Sequence, residues 1–300
     1  MKIGISPNYL KNDIFDFIVS LVEKLKNAEI EFVFGDSVLK IKNSDKDFWK
    51  PFQVFKEEEL SENCDIIVSI GGDGTLLQVA YNSRFTKTPL LGVNFGKLGY
   101  LAEFETGKID GLINYLKKGN LIIEKRNALD AACVSEDCKQ LYAINDIVID
   151  RGKYPKMIEI TIEIDNEYVS TFSADGIIIA TPTGSTGYSL STGGPIVNPQ
   201  TEAITLSPIS AHTLSMRPLV ISSNQTVVIK ATSLFKDVQV ICDGQRVSFL
   251  NSPATIKISK SKNDLRLVHN IDKHYFEILR KKLYWGLDLR SVNNNAIGGK

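Results

Sequence analysis

The sequence predicts an α/β plus all-β protein: an N-terminal doubly wound α/β domain, a C-terminal antiparallel β-sandwich-like domain, and a final helix returning to the first domain. Three observations predict it. Short apolar runs alternate with helical periods up to about residue 120. Beyond that point the hydrophobic period changes to two, with turn residues between runs. A last helical stretch carries an apolar face that needs a partner outside the β region.

In chain order, Lys2 to Ser6 is a short apolar strand. Asp13 to Asn27 sets Ile14, Ile18, Leu21, Val22 and Leu25 on one helical face. Glu31 to Gly35 reads as a second strand through Phe32, Val33 and Phe34. Residues 40–60 are charged and irregular, and read as a surface excursion. Asp65 to Ile70 is a continuous apolar run closed by glycines, the pattern of a strand buried on both faces. Thr75 to Asn82 reads as helix, Pro89 to Val93 as strand and Ile109 to Lys118 as helix, an alternation that implies a parallel sheet under helical covers.

In the second half, Ile158, Ile160, Ile162 and Ile164 alternate with Glu159, Thr161 and Glu163, a strand with one wet face. Asp165-Asn166 supplies a turn before Tyr168 to Phe172. Gly176 to Thr181, Leu219 to Ser222, Thr226 to Ala231, Val238 to Cys242, Thr255 to Ser259 and Leu265 to Val268 read as further strands of an antiparallel sandwich. His274 to Leu283 is the last helix, with Tyr275, Phe276, Ile278, Leu279 and Leu283 at helical spacing. The expected division is 1–122, completed by 272–290, then 123–271, with a frayed polar tail over 291–300.

Composition removes several classes. The chain has 300 residues, and its 35 Lys plus Arg balance 35 Asp plus Glu. That balance argues against a protein held on nucleic acid or an anionic membrane, both of which need surplus cation. A hydrophobic share of 43% is too high for bulk disorder. No apolar run approaches the ~18 residues of a membrane span, and the N-terminus lacks the apolar core of a secretory signal. Cys64, Cys133, Cys138 and Cys242 show no metal-like spacing and read as four reduced thiols of a cytoplasmic protein.

The strongest local feature is Gly71-Gly72-Asp73-Gly74-Thr75, after a buried strand and before a helix. Glycines let backbone N–H groups approach phosphate at a helix N-terminus. The loop is neither a Walker A loop, since no lysine follows, nor GxGxxG, since Leu77 stands at the third glycine position. A carboxylate here repels phosphate unless it binds a cation or takes a proton, so Asp73 is a general base, a metal partner or the cap of a tight turn. The segment Thr181-Pro182-Thr183-Gly184-Ser185-Thr186-Gly187-Tyr188-Ser189-Leu190-Ser191, preceded by Asp175-Gly176, is dense in hydroxyls and glycines and suits close polar contact. Tyr188 suits stacking on a base or ribose. Asn145-Asp146 interrupts the apolar run Tyr142 to Ile149, and a vicinal diol would satisfy Asp146. Asn94 to Leu101 lies beyond the carboxyl end of a parallel strand, where open α/β sheets bind ligands. His212 is the histidine nearest these motifs and reads as structural.

Taken together these motifs resemble the NAD kinase family, which phosphorylates the adenosine ribose 2′-hydroxyl of NAD. The resemblance runs through Gly71 to Thr75, Asn94 to Leu101, Asn145-Asp146, Asp175-Gly176, Thr181 to Pro195, His212 to Pro218, Asp243-Gly244-Gln245 and Tyr284-Trp285-Gly286. It implies a catalytic base at Asp73, a backbone contact at Gly74 within the loop Gly71, Gly72 and Thr75, and a ribose pair at Asn145 and Asp146. Asp175 falls near the nicotinamide end, and Tyr100 near adenine beside Asn94. Thr183, Thr186, Gly187, Tyr188 and Ser191 fall on the NAD-contact segment, and Ser210 and Gln245 on further contacts. Lys156 occupies a basic position that reaches nucleotide across a subunit interface. Gly187 stands where the family commonly has Ala, Asp146 where it has Glu, Tyr100 where it has Phe, and Ala211 where it has Pro. Implied with these are NAD and ATP or polyphosphate as substrates, a divalent cation such as Mg²⁺, and a homodimer or homotetramer. The site would lie between the domains. A lipid or sugar kinase sharing the Gly-Gly-Asp-Gly loop and a non-catalytic nucleotide binder are the rival readings, the second disfavoured by Asp73.

Overall fold

The computed structural model describes residues 1–42, 44–96, 99–134 and 141–285. The chain divides into two compact units. One comprises Met1–Val79, Thr88–Glu124 and the described residues from Leu267 on, and the other Ala80–Lys87 and Lys125–Arg266.

The first unit is built on β1 (Lys2–Pro7), β2 (Glu31–Gly35), β3 (Val54–Phe55), β4 (Ile66–Gly71), β5 (Leu90–Asn94) and β6 (Phe104–Glu105). Each of these pairs in parallel with its neighbour. All six residues of β4 are buried, which is why its sequence runs apolar without alternation. The helices are α1 (Ile14–Asn27), α2 (Lys46–Trp49), α3 (Asp73–Asn82) and α4 (Ile109–Lys118). On α1 the buried residues are Ile14, Ile18, Leu21, Val22 and Leu25, the face its spacing selects. The sheet order β3-β2-β1-β4-β5 reverses direction between β1 and β4. The Gly71–Thr75 loop follows β4 at that switch point.

Residues 40–60 are more than a surface excursion. The segment forms α2 and β3, and Trp49 is only 4% exposed. Its ring packs edge-on to Phe15, Phe34 and Phe48 at 5.8, 5.3 and 4.9 Å. The charged residues face outward, except Glu57, which accepts from the Ser6 hydroxyl at 2.6 Å, while the interspersed aromatics turn into the core, a division that charge density along the chain hides.

The second unit follows the β7 strand (Ile122–Arg126). Its strands are β8 (Leu129–Cys133), β9 (Leu141–Ala143), β10 (Asp146–Asp150), β11 (Ile158–Ile164), β12 (Glu167–Ala174) and β13 (Gly176–Ala180). After the short α5 helix (Tyr188–Ser191) come β14 (Ala203–Ile209), β15 (Leu219–Ser222), β16 (Val227–Thr232), β17 (Asp237–Cys242), β18 (Arg246–Asn251) and β19 (Ala254–Lys260). They form two antiparallel six-stranded sheets, β15-β14-β13-β10-β17-β18 and β12-β11-β16-β19-β8-β9. One core joins their inner faces, with Ile147, Ile149, Ile177 and Ile179 meeting Ile158, Ile160, Ile229 and Ile256. The β11–β12 turn places Asp165 and Asn166 at φ 51° and 69°, as a two-residue hairpin requires.

The strand at the end of the β region, β20 (Leu265–His269), is not part of the sandwich. It pairs in parallel with β5 through Leu267 and Leu90, beside β7 at the edge of the first unit's sheet. A short run such as Leu265–His269, with Leu265, Leu267 and Val268 buried, has the same pattern in either sheet, and only the partner decides. The last helix, α6 (Tyr275–Leu283), also belongs to the first unit and buries Ile278 and Leu279. No described helix is long and apolar enough to cross a membrane. The expected tail over 291–300 lies outside the described residues.

Trp49→Ala should lower unfolding free energy by about 3–5 kcal/mol, the range for a buried large aromatic, measured by denaturant titration. A loss below ~1 kcal/mol, the scale of an ordinary surface change, would return residues 40–60 to a peripheral role.

Candidate active site

The glycine loop holds its carboxylate in an unexpected way. Asp73 opens α3. Its side chain reaches the chain beyond β5, where Oδ2 accepts the Tyr100 N–H at 2.7 Å and Oδ1 accepts those of Leu101 and Ala102, both at 3.0 Å. Gly99 permits the approach, since a Cβ there would lie 2.0 Å from Asp73 Oδ1. The space beside Gly72 is open, with nothing within 4 Å of where a Cβ would be. Thr75 Oγ1 accepts from Asn8 Nδ2 at 3.2 Å, so the loop is also tied to the end of β1. Asn94 is buried, donating to the Gly96 carbonyl at 3.3 Å while its Oδ1 has no partner.

One basic side chain comes to this loop from far along the sequence. Lys282, in the last turn of α6, places Nζ 4.0 Å from Asp73 Oδ2 and 4.1 Å from the centre of the Tyr100 ring. Burial pulls the Lys282 ammonium below its ordinary pKa, with Asp73 opposing the shift. Burial, then the Asp73 charge, raises the Tyr100 hydroxyl. Sequence reading missed Lys282, because nothing in its spacing points to a loop some 200 residues earlier.

In the second unit, Asn145 and Asp146 are not neighbours within one strand. β9 ends at Ala143 and β10 begins at Asp146. The break exists because the Asp243 carboxylate, in the β17–β18 turn, accepts the N–H groups of Ile144, Asn145 and Asp146 at 2.9, 2.7 and 3.4 Å. Arg246 Nη2 closes on Asp243 at 2.7 Å, and the guanidinium lies 4.1 Å from the Tyr81 ring centre. Thr181 caps the other side, its hydroxyl donating to the Ile144 carbonyl at 2.6 Å. Gly184 sits directly on the break, where a Cβ would lie 2.0 Å from the Asn145 carbonyl oxygen.

The break presents two polar groups without protein partners that satisfy them. Asn145 Oδ1 is buried and accepts no hydrogen bond. Burial, reinforced by Asp243, lifts Asp146 from its ordinary 3.8 to about 7. Gly187 adjoins them, a Cβ there falling 3.7 Å from Asp146 Oδ2. Thr183 is buried, and Thr186 donates to its carbonyl at 3.2 Å.

The remaining positions lie elsewhere on the second unit. Asp175 accepts from Arg151 Nε at 2.6 Å, and its N–H donates to Ile209 beside Ser210, which holds φ 48°. Tyr188, Ser191, Lys156, Ser210 and Gln245 are exposed. His212 is exposed too, its N–H bonded to the Ser173 carbonyl. Cys64 and Cys242 are free, but Cys133 is in a disulfide, which corrects the expectation of four thiols. Cys138, Lys97, Leu98 and Gly286 lie outside the described residues.

A carboxylate among glycine N–H groups at the end of a buried parallel strand suits holding a phosphate chain against a hydroxyl. With the sandwich unit and its unsatisfied polar pair, the class is that of a nucleotide-dependent phosphotransferase. Comparison narrows it. Residues 5–121 match the ATP-NAD kinase N-terminal domain and residues 144–270 the ATP-NAD kinase C-terminal domain. The chain is 38% identical over 293 residues to the NAD kinase of Prosthecochloris aestuarii, covering 97% of this chain and 99% of that one. It is 36% identical over 289 residues to that of Pseudomonas aeruginosa, covering 95% and 96%. Among solved structures, a yeast NADH kinase complexed with NADH superposes with a TM-score of 0.85 at 25% identity, covering 96% of this chain and 89% of that one. An Archaeoglobus fulgidus NAD kinase in complex with ATP gives 0.74 at 27%, covering 95% and 99%. The chain belongs to the NAD kinase family.

Asp146 makes stability depend on pH. Its carboxyl keeps a proton in the folded state between about 4 and about 7 that the unfolded chain has lost. Its contribution is therefore full below its unfolded value and disappears as pH rises through about 7. Asp146→Asn should remove up to ~1.4 kcal/mol per pH unit from the slope in that window, read by denaturant titrations from pH 4 to 8. An unchanged slope would place the proton elsewhere.

Proposed function

We propose that this chain converts NAD to NADP by placing a phosphoryl group on the 2′-hydroxyl of the adenosine ribose, with ATP or polyphosphate as donor. The observation that carries the reading is the orphaned Asn145 Oδ1 beside the buried Asp146. An acceptor without a donor and a carboxyl that titrates near neutrality match the two hydroxyls of a ribose, each able to donate and accept.

The reaction is an in-line displacement. The 2′-oxygen bonds to the terminal phosphorus, and the bond from phosphorus to the bridging oxygen breaks. The electron pair of that bond departs with the nucleoside diphosphate or shortened polyphosphate. Asp73 takes the hydroxyl proton. Its Oδ2 accepts a single N–H, whereas Oδ1 accepts two, so Oδ2 keeps room for it. The glycine loop Gly71 to Gly74 faces the donor phosphates, the Thr75 N–H being held by the Gly72 carbonyl at 3.0 Å, and positioning does most of the work because the transition state is loose.

Asp175, Ser210 and Lys156 receive the rest of the dinucleotide. Asp146 pairs with Ala180 and Asp150 with Gly176, so Asp146 and the Asp175 corner stand at opposite ends of one strand pair. Four residue steps of strand span roughly 14 Å, a reach that suits an extended ligand. Thr183, Thr186, Gly187, Tyr188 and Ser191 line the route, with Asn94 and Tyr100 assigned to the adenine side and Gln245 to a further contact. Exposed Lys156 is assigned to nucleotide of a neighbouring subunit in a homodimer or homotetramer. Among the described residues no three His, Cys, Asp or Glu side chains converge to cage a cation. A Mg²⁺ ion would then travel on the donor's phosphates and water, and no step is derived through it.

Incubating the protein with NAD, Mg²⁺ and either ATP or polyphosphate should yield NADP, and no NADP with either donor would end this reading. Asp73→Asn should keep NAD affinity while kcat falls ~10²-fold or more, so near-normal turnover would remove Asp73 as base. Light scattering should show more than one subunit. A fully active monomer would take Lys156 out of the site.

A further inference from the structure

Two carboxylates in this protein use the same device, and only one is completed. Asp243 and Asp73 each gather three consecutive backbone N–H groups. The Asp243 side chain is fully buried and closed by Arg246 at 2.7 Å. Asp73 is 26% exposed, and its cation, Lys282, stops at 4.0 Å. That distance is too long for a hydrogen bond.

The short distance is easily reached elsewhere. Lys281 and Lys50 close on their carboxylates at 2.7 Å, and Lys273 hydrogen-bonds Glu105. Lys282 instead has 28% of its side chain exposed, rests on the Tyr100 ring, and makes no hydrogen bond to a protein group among the described residues. A half-buried ammonium with no protein acceptor for its N–H groups is free to take an anion. Its helix is nevertheless fastened in place. His269 Nδ1 meets Glu103 at 2.9 Å, Asn270 N–H donates to Glu103 at 2.8 Å, and Lys273 pairs with Glu105. Glu103 and Glu105 directly follow the Tyr100–Ala102 segment that Asp73 holds. The loop itself brings no cation, since residues 61–83 contain no Lys or Arg.

We propose that Lys282 binds the phosphoryl group in transfer at the Asp73 loop. The inference rests on the phosphotransferase reading above. As the bond to the 2′-oxygen forms and the bond to the leaving oxygen breaks, the Lys282 N–H groups hydrogen-bond the oxygens of the moving phosphoryl. Their charge offsets the repulsion between those oxygens and Asp73. The flexible four-carbon stem lets the ammonium move from the Tyr100 ring to the group without moving the helix.

The test compares wild type, Lys282→Met and Lys282→Arg. Wild type must first make NADP from NAD, and if it does not, the family activity fails rather than this inference. Lys282→Met should then lower kcat ~10²-fold or more, with NAD affinity by calorimetry and thermal midpoint close to wild type. Lys282→Arg should recover at least a tenth of the lost turnover. Inorganic tripolyphosphate, standing for the donor's phosphate chain, should bind Lys282→Met at least tenfold more weakly than wild type. Turnover within threefold of wild type in Lys282→Met, or equal tripolyphosphate affinity, would overturn the proposal. So would a loss of NAD affinity and thermal midpoint matching the loss of kcat, which would make Lys282 a strut. If Lys282→Met fails to fold, the same two readouts are taken on Lys282→Gln.

Discussion

One carboxylate organises the first unit. By collecting the N–H groups of Tyr100, Leu101 and Ala102, Asp73 fixes the chain beyond β5 against the start of α3. That fixed stretch continues into Glu103 and Glu105, which anchor the segment entering α6. The end of α6 then brings Lys282 back to Asp73. Each side-chain link in the circuit joins residues far apart in sequence. Charge-assisted bonds to backbone amides are among the stronger bonds a carboxylate makes, and three of them leave its position little freedom.

The same constraint gives the site its chemistry. A carboxylate already supplied with donors is held in one orientation, so an incoming hydroxyl meets a preorganised oxygen. The second unit repeats the device for binding. Asp243 ties down the backbone on which Asn145 and Asp146 sit, and Arg246 seals it from solvent. With its backbone fixed, the break between β9 and β10 keeps Asn145 Oδ1 buried without a partner beside the buried Asp146, a state an apolar strand would collapse around. Asp146 above its ordinary range records the cost of that arrangement.

Much of this was legible in the sequence. The apolar run into Gly71-Gly72-Asp73 marked β4 and its loop, since a strand buried on both faces has no other pattern. The alternation of Ile158 to Ile164 marked β11, and Asp165-Asn166 its turn. Asn145-Asp146 stood out as polar residues inside an apolar run. Several of the missed strands share one property. β8, β9, β14 and β18 are short or mixed in character, and their place depends on cross-strand partners. Trp49 lay hidden among charges because burial belongs to a face and not to a stretch.

The sequence by itself determined the periods: where the chain is helical, where it alternates, and where glycines, carboxylates and hydroxyls cluster at element ends. These are local, set by backbone geometry and by the spacing of apolar residues. Tertiary structure decided who meets whom. It took β20 from the sandwich to β5, gave Asp73 to the amides of residues 100–102, gave Asp243 to those of residues 144–146, and delivered Lys282 to the loop. A charged or polar side chain has many compatible partners along 300 residues. Packing alone selects among them, because the energy of such a pair depends on distance and desolvation that exist only after folding.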